Sequence, residues 1–154
     1  MSKELVMIMR DLGLLHYCLG VDVWQTGSNI FISQTKYARS LLDKFRMIAC
    51  KISSTPMEKV LKLLAKFDSK AVNESVSKQV VGSLIYLTTS RPDLSFFVSY
   101  ISRFVSTPKV EHWTAAKRVL RYMKGTLDFG ILHCRSKDPQ LCGYIDLDWA
   151  KFYQ

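Results

Sequence analysis

Apolar positions recur along this chain in two rhythms. Tyr17-Cys18-Leu19-Gly20-Val21-Asp22-Val23-Trp24 alternates and is rich in strand formers, the period-two pattern of a half-buried strand. Thr26-Gly27-Ser28-Asn29 reads as a turn and Ile30-Phe31-Ile32 as the returning strand, which predicts a hairpin over 17–33. A two-stranded hairpin is marginal alone. A helix predicted over 36–45, with Tyr37, Leu41, Leu42 and Phe45 on one face, provides its cover. The rhythm then lapses. Ser53-Ser54-Thr55-Pro56 reads as a turn, and a flexible linker is expected over 58–72.

Helical periodicity returns at 76–87, where Val76, Val80, Leu84 and Leu87 share a stripe. Arg91-Pro92-Asp93 opens the next helix: proline suits a first turn and Asp93 suits the positive end of the helix dipole. That helix is expected to run to about Phe104, burying Phe97, Tyr100, Ile101 and Phe104. In the last of the predicted helices, over 111–125, Trp113, Ala116, Leu120 and Met123 form an apolar seam. Lys117, Arg121 and Lys124 line a second side, with Arg118 beside them; Thr107-Pro108 supplies the cap and Gly125 the stop. Short connections predict antiparallel packing of these helices. Residues 130–133 and 141–148 read as strands, so the chain order of hairpin, helix, helices and strands gives an α+β class.

At 154 residues the chain is long enough for one domain with a real core, and 48% hydrophobic residues argue against wholesale disorder. A formal net charge of +9 favours an anionic partner. Nucleic acid is the first candidate, with an anionic membrane surface or an acidic protein left open. No stretch approaches the roughly 20 apolar residues of a membrane span; the longest runs, 80–87 and 94–101, are diluted by Ser83, Ser95 and Ser99. Leu5-Val6-Met7-Ile8-Met9 is ended too early by Arg10 and Asp11 for a signal peptide. Cys18, Cys50, Cys134 and Cys142 lack the paired spacing of a zinc site, and His133-Cys134 with Cys142 is read as structural. The expectation is an intracellular, unsecreted chain whose compartment is not encoded. No motif for a small-molecule substrate emerges.

Two constellations carry chemistry. The cations of the helix over 111–125 suit either a solvated face or phosphate contact. Asp146 and Asp148, two apart on a predicted strand, point to one side, which suits either plain surface charge or a partial magnesium-binding pair. A two-metal nuclease needs further carboxylates, and none of the six residues after Asp148 is acidic.

A series of short motifs runs along the chain. It starts with Asp11-Leu12-Gly13, Tyr17-Cys18-Leu19-Gly20-Val21-Asp22-Val23 and Ile32-Ser33-Gln34-Thr35-Lys36-Tyr37-Ala38. It continues through Ser54-Thr55-Pro56-Met57, Val81-Gly82-Ser83-Leu84-Ile85-Tyr86-Leu87-Thr88, Thr89-Ser90-Arg91-Pro92-Asp93-Leu94 and Ser102-Arg103-Phe104. It closes with the helix from His112-Trp113 to Gly125-Thr126 and with Gly143-Tyr144-Ile145-Asp146-Leu147-Asp148-Trp149-Ala150. In this order the motifs resemble the Pol polyprotein of Ty1/copia-type LTR retrotransposons, in the late reverse transcriptase running into ribonuclease H.

The resemblance implies an organisation and a set of roles. Residues 1–57 would be the end of the polymerase palm, 58–72 a linker, 73–126 thumb and connection helices, and 127–154 the first strands of a truncated ribonuclease H. Tyr17, Cys18, Leu19 and Gly20 would form a primer-grip hairpin, Gly20 allowing close backbone approach. Lys117, Arg118, Arg121 and Lys124 would contact phosphates. Asp146 would be a vestigial metal ligand, with Asp148 its neighbour. The polymerase's aromatic-X-Asp-Asp turn is absent from the sequence, as are the remaining ribonuclease H acids. The parent enzyme uses Mg2+; this chain is expected to hold no cofactor and to be a non-catalytic fragment of an RNA-directed DNA polymerase and hybrid nuclease. The alternatives are a recruited basic nucleic-acid-binding module and an effector that meets proteins or lipids. Three departures from the family pattern stand out. Arg46 replaces the glycine expected after Lys44-Phe45, Ile145 replaces a small polar residue, and Lys151-Phe152-Tyr153-Gln154 replaces a Gly-Asp continuation. Loss of sheet partners would leave apolar edges at 17–33 and 141–149.

Overall fold

A computed structural model describes residues 13–58 and 69–135. The strand expected over 141–148, with Asp146, Asp148 and Cys142, lies outside them, as does most of the expected linker. The described residues form an α+β fold of four helices and one four-stranded antiparallel sheet.

The alternating run at 17–24 does not make one strand. It folds into β1 (Tyr17–Cys18) and β2 (Val21–Gln25), paired as Tyr17↔Asp22 and Cys18↔Val21. The turn between them is Leu19-Gly20, with φ of 48° and 81°. Positive φ at both central residues gives the twist that a two-residue hairpin turn requires. Alternation alone does not reveal the break, because Leu19 is not a turn former. The second turn is as expected: β3 (Asn29–Ser33) pairs back on β2, and Thr26 Oγ1 accepts from the Asn29 amide at 3.1 Å.

β4 (Gly130–Cys134) joins the same sheet, antiparallel to β3 from Ser33↔Gly130 to Asn29↔Cys134. Among the described residues, the strand at 130–134 thus extends the N-terminal meander. Gly130 permits the approach: a Cβ there would lie 2.2 Å from the Ile32 carbonyl oxygen. β4 also covers the edge of β3 that was expected to stand open. Apolar side chains still stand exposed on the sheet at Tyr17, Leu19, Trp24, Ile30 and Leu132.

The apolar core is entirely helical among the described residues. Helix α1 (Thr35–Lys44) buries Ala38, Leu41 and Leu42, while Tyr37 and Phe45 flank the core. Its C-terminus closes through Arg46 N–H to Asp43 O at 2.9 Å and Met47 N–H to Leu42 O at 2.7 Å. That hydrogen-bond pair defines a Schellman cap, and Arg46 adopts φ 54° to make it. The departure noted in the sequence is therefore a real left-handed position held without glycine.

Helix α2 (Glu74–Leu87) is capped by Asn73, which accepts from the Val76 amide at 3.2 Å. Its buried stripe is Ser77, Val80, Val81, Leu84 and Leu87, so Val76 sits outside the expected face and is exposed. Helix α3 (Pro92–Ser102) buries Leu94, Val98 and Ile101, two residues short of the expected end. Helix α4 (Val110–Gly125) starts after Lys109, not at Thr107-Pro108, with the Lys109 amide donating to His112 Nδ1 at 3.1 Å. Its buried face runs through Ala115, Ala116, Val119, Leu120 and Met123; Trp113 is only half-buried. Gly125 remains helical, and the stop falls at Thr126.

One polar residue joins these parts. Arg91 is 2% exposed and pairs with Asp93 through Nε at 2.9 Å and Nη2 at 2.7 Å. It also donates to Thr126 O at 2.8 Å and lies 5.3 Å from the Phe129 ring centroid. The start of α3 is thereby fastened to the end of α4 and to the approach into β4. Burial alone would raise the Asp93 pKa, but the hydrogen bond and charge of Arg91, with help from Tyr122, hold it below the ordinary value. Burial, then the Asp93 charge, pushes the Tyr122 hydroxyl up.

Candidate nucleic-acid interface

The polar face of α4 carries Lys117, Arg118, Arg121 and Lys124 on successive turns. Lys117 is exposed, its ammonium 5.2 Å from the Trp113 ring centroid. The other three meet a strap formed by residues 50–58, which crosses the helix after α1. Lys124 Nζ donates to Cys50 O at 2.6 Å, and Arg121 Nε donates to Lys51 O at 2.8 Å. Arg118 donates to Thr55 Oγ1 at 3.0 Å and pairs with Glu58 Oε1 at 2.7 Å. The Ser53 amide returns a bond to Arg121 O at 3.3 Å. Gly125 leaves room for Ile52, whose Cβ would be 3.5 Å from a Cβ built at 125.

Both described ends of the expected linker are therefore held to α4. Glu58 is held by Arg118, and Ala71 bridges to Lys109 while Val110 N–H reaches Lys70 O at 3.2 Å. Ser69 Oγ donates to Glu111 at 2.5 Å, and this hydrogen bond lowers the Glu111 pKa.

Sequence reasoning found the α4 cations but not their partners. Two of the acceptors are backbone carbonyls, and every residue type offers that group. The usable signal in the sequence was Glu58, a carboxylate close after the Ser53-Ser54-Thr55-Pro56 turn.

Tyr17, Cys18, Leu19 and Gly20 occupy a different neighbourhood, against α1 and α2. The Tyr86 hydroxyl donates to Leu19 O, and a Cβ at Gly20 would sit 3.4 Å from that hydroxyl. Tyr86 meets Tyr37 edge-on at 5.0 Å. Lys36 lies 4.8 Å from the Tyr17 ring centroid and pairs with buried Asp22 at 3.0 Å. Tyr17 and Cys18 are exposed on the outermost strand. Asp146 and Asp148 fall outside the described residues, among which no three His, Cys, Asp or Glu residues cluster as a metal site. No described helix is long and apolar enough to cross a membrane.

No family model matches this sequence, and no solved structure matches it. Relatives by sequence do. The Pol polyprotein of transposon RE2 from Arabidopsis thaliana is 38% identical over 88% of this chain, which covers 9% of the polyprotein. The Pol polyprotein of transposon TNT 1-94 from Nicotiana tabacum is 37% identical over 92% of this chain, covering 11% of that protein. An uncharacterised mitochondrial protein of Arabidopsis thaliana is 38% identical over 92% of this chain, covering 59% of its length. The chain is homologous to a short segment of the Pol polyproteins of Ty1/copia-type retrotransposons.

Proposed function

We propose that this chain is a non-catalytic segment of a retrotransposon Pol polyprotein that retains affinity for duplex or hybrid nucleic acid. The segment is the end of the reverse transcriptase running into ribonuclease H, and its hairpin at Tyr17–Cys18 and Leu19-Gly20 corresponds to a primer grip. One observation carries the binding reading: Lys117, Arg118, Arg121 and Lys124 share one helix face in a chain of net charge +9. At 1.5 Å of rise per residue, Lys117 to Lys124 spans about 10 Å. That length matches roughly three base-pair steps of a duplex, so contacts of this kind follow the backbone without reading sequence.

Magnesium is the metal of the parent chemistry. Asp146 and Asp148 are the residues that would approach it, and two carboxylates do not complete a two-metal site. No catalytic step is therefore assigned to this chain.

Fluorescence anisotropy with a labelled RNA–DNA hybrid tests the binding reading. Affinity should fall steeply with salt, with a log–log slope of roughly −0.9 for each phosphate neutralised. Changing Lys117, Arg118, Arg121 and Lys124 together to Ala should flatten that slope. Binding unaltered by the fourfold change refutes the interface, and polymerase or nuclease turnover by the chain refutes the non-catalytic reading.

A further inference from the structure

We infer that the strap of residues 50–58 is an internal competitor for the cationic face of α4. It occupies the face when no polyanion is bound and is displaced when one binds. This rests on the nucleic-acid reading above and adds a regulatory element to it.

The geometry carries the inference. Three of the four cations on the face spend hydrogen bonds on the strap: Lys124 on Cys50 O, Arg121 on Lys51 O, and Arg118 on Thr55 and Glu58. The acceptors are oxygens, the same class of atom that a phosphate presents. The Glu58 carboxylate supplies the strap's negative charge, and its Arg118 pair is 24% exposed on the arginine and 65% on the glutamate. The glutamate end of this pair stands largely in water, which screens and weakens it. The backbone ties are few, since among the described residues Ser53 N–H to Arg121 O is the backbone–backbone bond joining strap to helix. None of the strap residues belongs to the buried apolar core. Its lifting therefore leaves the helical packing intact. Lys117 lies beyond the strap and stays exposed, so it offers a first contact before displacement.

The same geometry provides a lock. A Cβ at position 125 lies 3.5 Å from the Ile52 Cβ, within the range that a disulfide spans. In a background with Cys18, Cys50, Cys134 and Cys142 changed to Ser, Ile52→Cys with Gly125→Cys fixes the strap on α4 when oxidised and frees it when reduced. Anisotropy with a labelled 20-base-pair RNA–DNA hybrid at low salt is the readout. The oxidised form should bind at least tenfold more weakly than the same protein reduced. Glu58→Gln in the otherwise unaltered chain should bind severalfold more tightly than the parent. Hydrogen exchange at the Ser53 amide should accelerate when hybrid is added.

Equal binding by the oxidised and reduced forms, with affinity unaltered by Glu58→Gln, overturns the strap while leaving nucleic-acid binding in place. Ser53 exchange unaffected by saturating hybrid does the same. No binding by any form, reduced and Glu58→Gln included, removes the nucleic-acid reading and the strap's role with it.

Discussion

Arg46 offers a stability gain that its own side chain withholds. It sits one residue past the cap of α1 at φ 54°, where it completes the Schellman closure with Met47. An L-residue with a Cβ pays about 1–2 kcal/mol in the left-handed region, and glycine avoids that strain. Glycine also frees the unfolded chain, which offsets about 0.4–1 kcal/mol. The Arg46 side chain is exposed and makes no side-chain hydrogen bond or ion pair among the described residues, so little is lost with it. Arg46→Gly should therefore stabilise the protein by about 0.5–1 kcal/mol. For a chain of this size that is a rise of about 1–4 °C in Tm. Urea unfolding followed by circular dichroism gives the check, with an unaltered m-value and a higher midpoint expected. Arg46→Ala is the control, because it removes the same charge yet keeps the Cβ. If Ala stabilises as much as Gly, or Gly lowers the midpoint, backbone strain at this position is refuted.

Leu19 poses the same question in the β1–β2 turn at φ 48°, with an exposed side chain. Leu19→Asn, a residue that tolerates this region, should stabilise by roughly 0.5–1 kcal/mol in the same denaturation assay. Gly130→Ala should have the opposite sign, since its Cβ would meet Ile32 O at 2.2 Å. β4 must shift, and a loss of about 2–4 kcal/mol is expected as a lowered midpoint. The depressed pKa of Asp93 makes its contribution to stability complete above the unfolded-state value. That contribution is lost as pH falls below the ordinary aspartate value of 3.8 and through the lower folded one. Melts from pH 6 downward should show an acid loss that Asp93→Asn reduces; identical pH profiles would remove Asp93 from the account.

The helices are legible in the sequence because their buried positions recur on one side: Leu41 and Leu42, Val80 and Leu84, Leu120 and Met123 all lie where periodicity puts them. Phase is less legible at helix ends, where one turn decides whether Val76 or Ser77 faces inward and only the neighbouring helices settle it. The Leu19-Gly20 turn is hidden because leucine, which seldom takes positive φ, occupies a left-handed position. The β3–β4 pairing is hidden for a different reason: a five-residue strand carries no mark of its partner, and Gly130 matters only once Ile32 is opposite. At the candidate interface the cations are read correctly as residues on one helix face. Their engagement with Cys50 and Lys51 carbonyls cannot be read, since a backbone oxygen has no side-chain identity. Arg91 shows both sides, visible as a helix start yet silent about Thr126 and Phe129.

The pairing of β3 with β4 also sets an order of events during synthesis. β3 leaves the ribosome before its outer partner β4, which is encoded after all four helices. Until Gly130–Cys134 emerges, a nascent chain presents an open ladder of amides and carbonyls. Such a chain is vulnerable to capture by neighbouring nascent chains, and a ribosome that stalls before that point releases a sticky product.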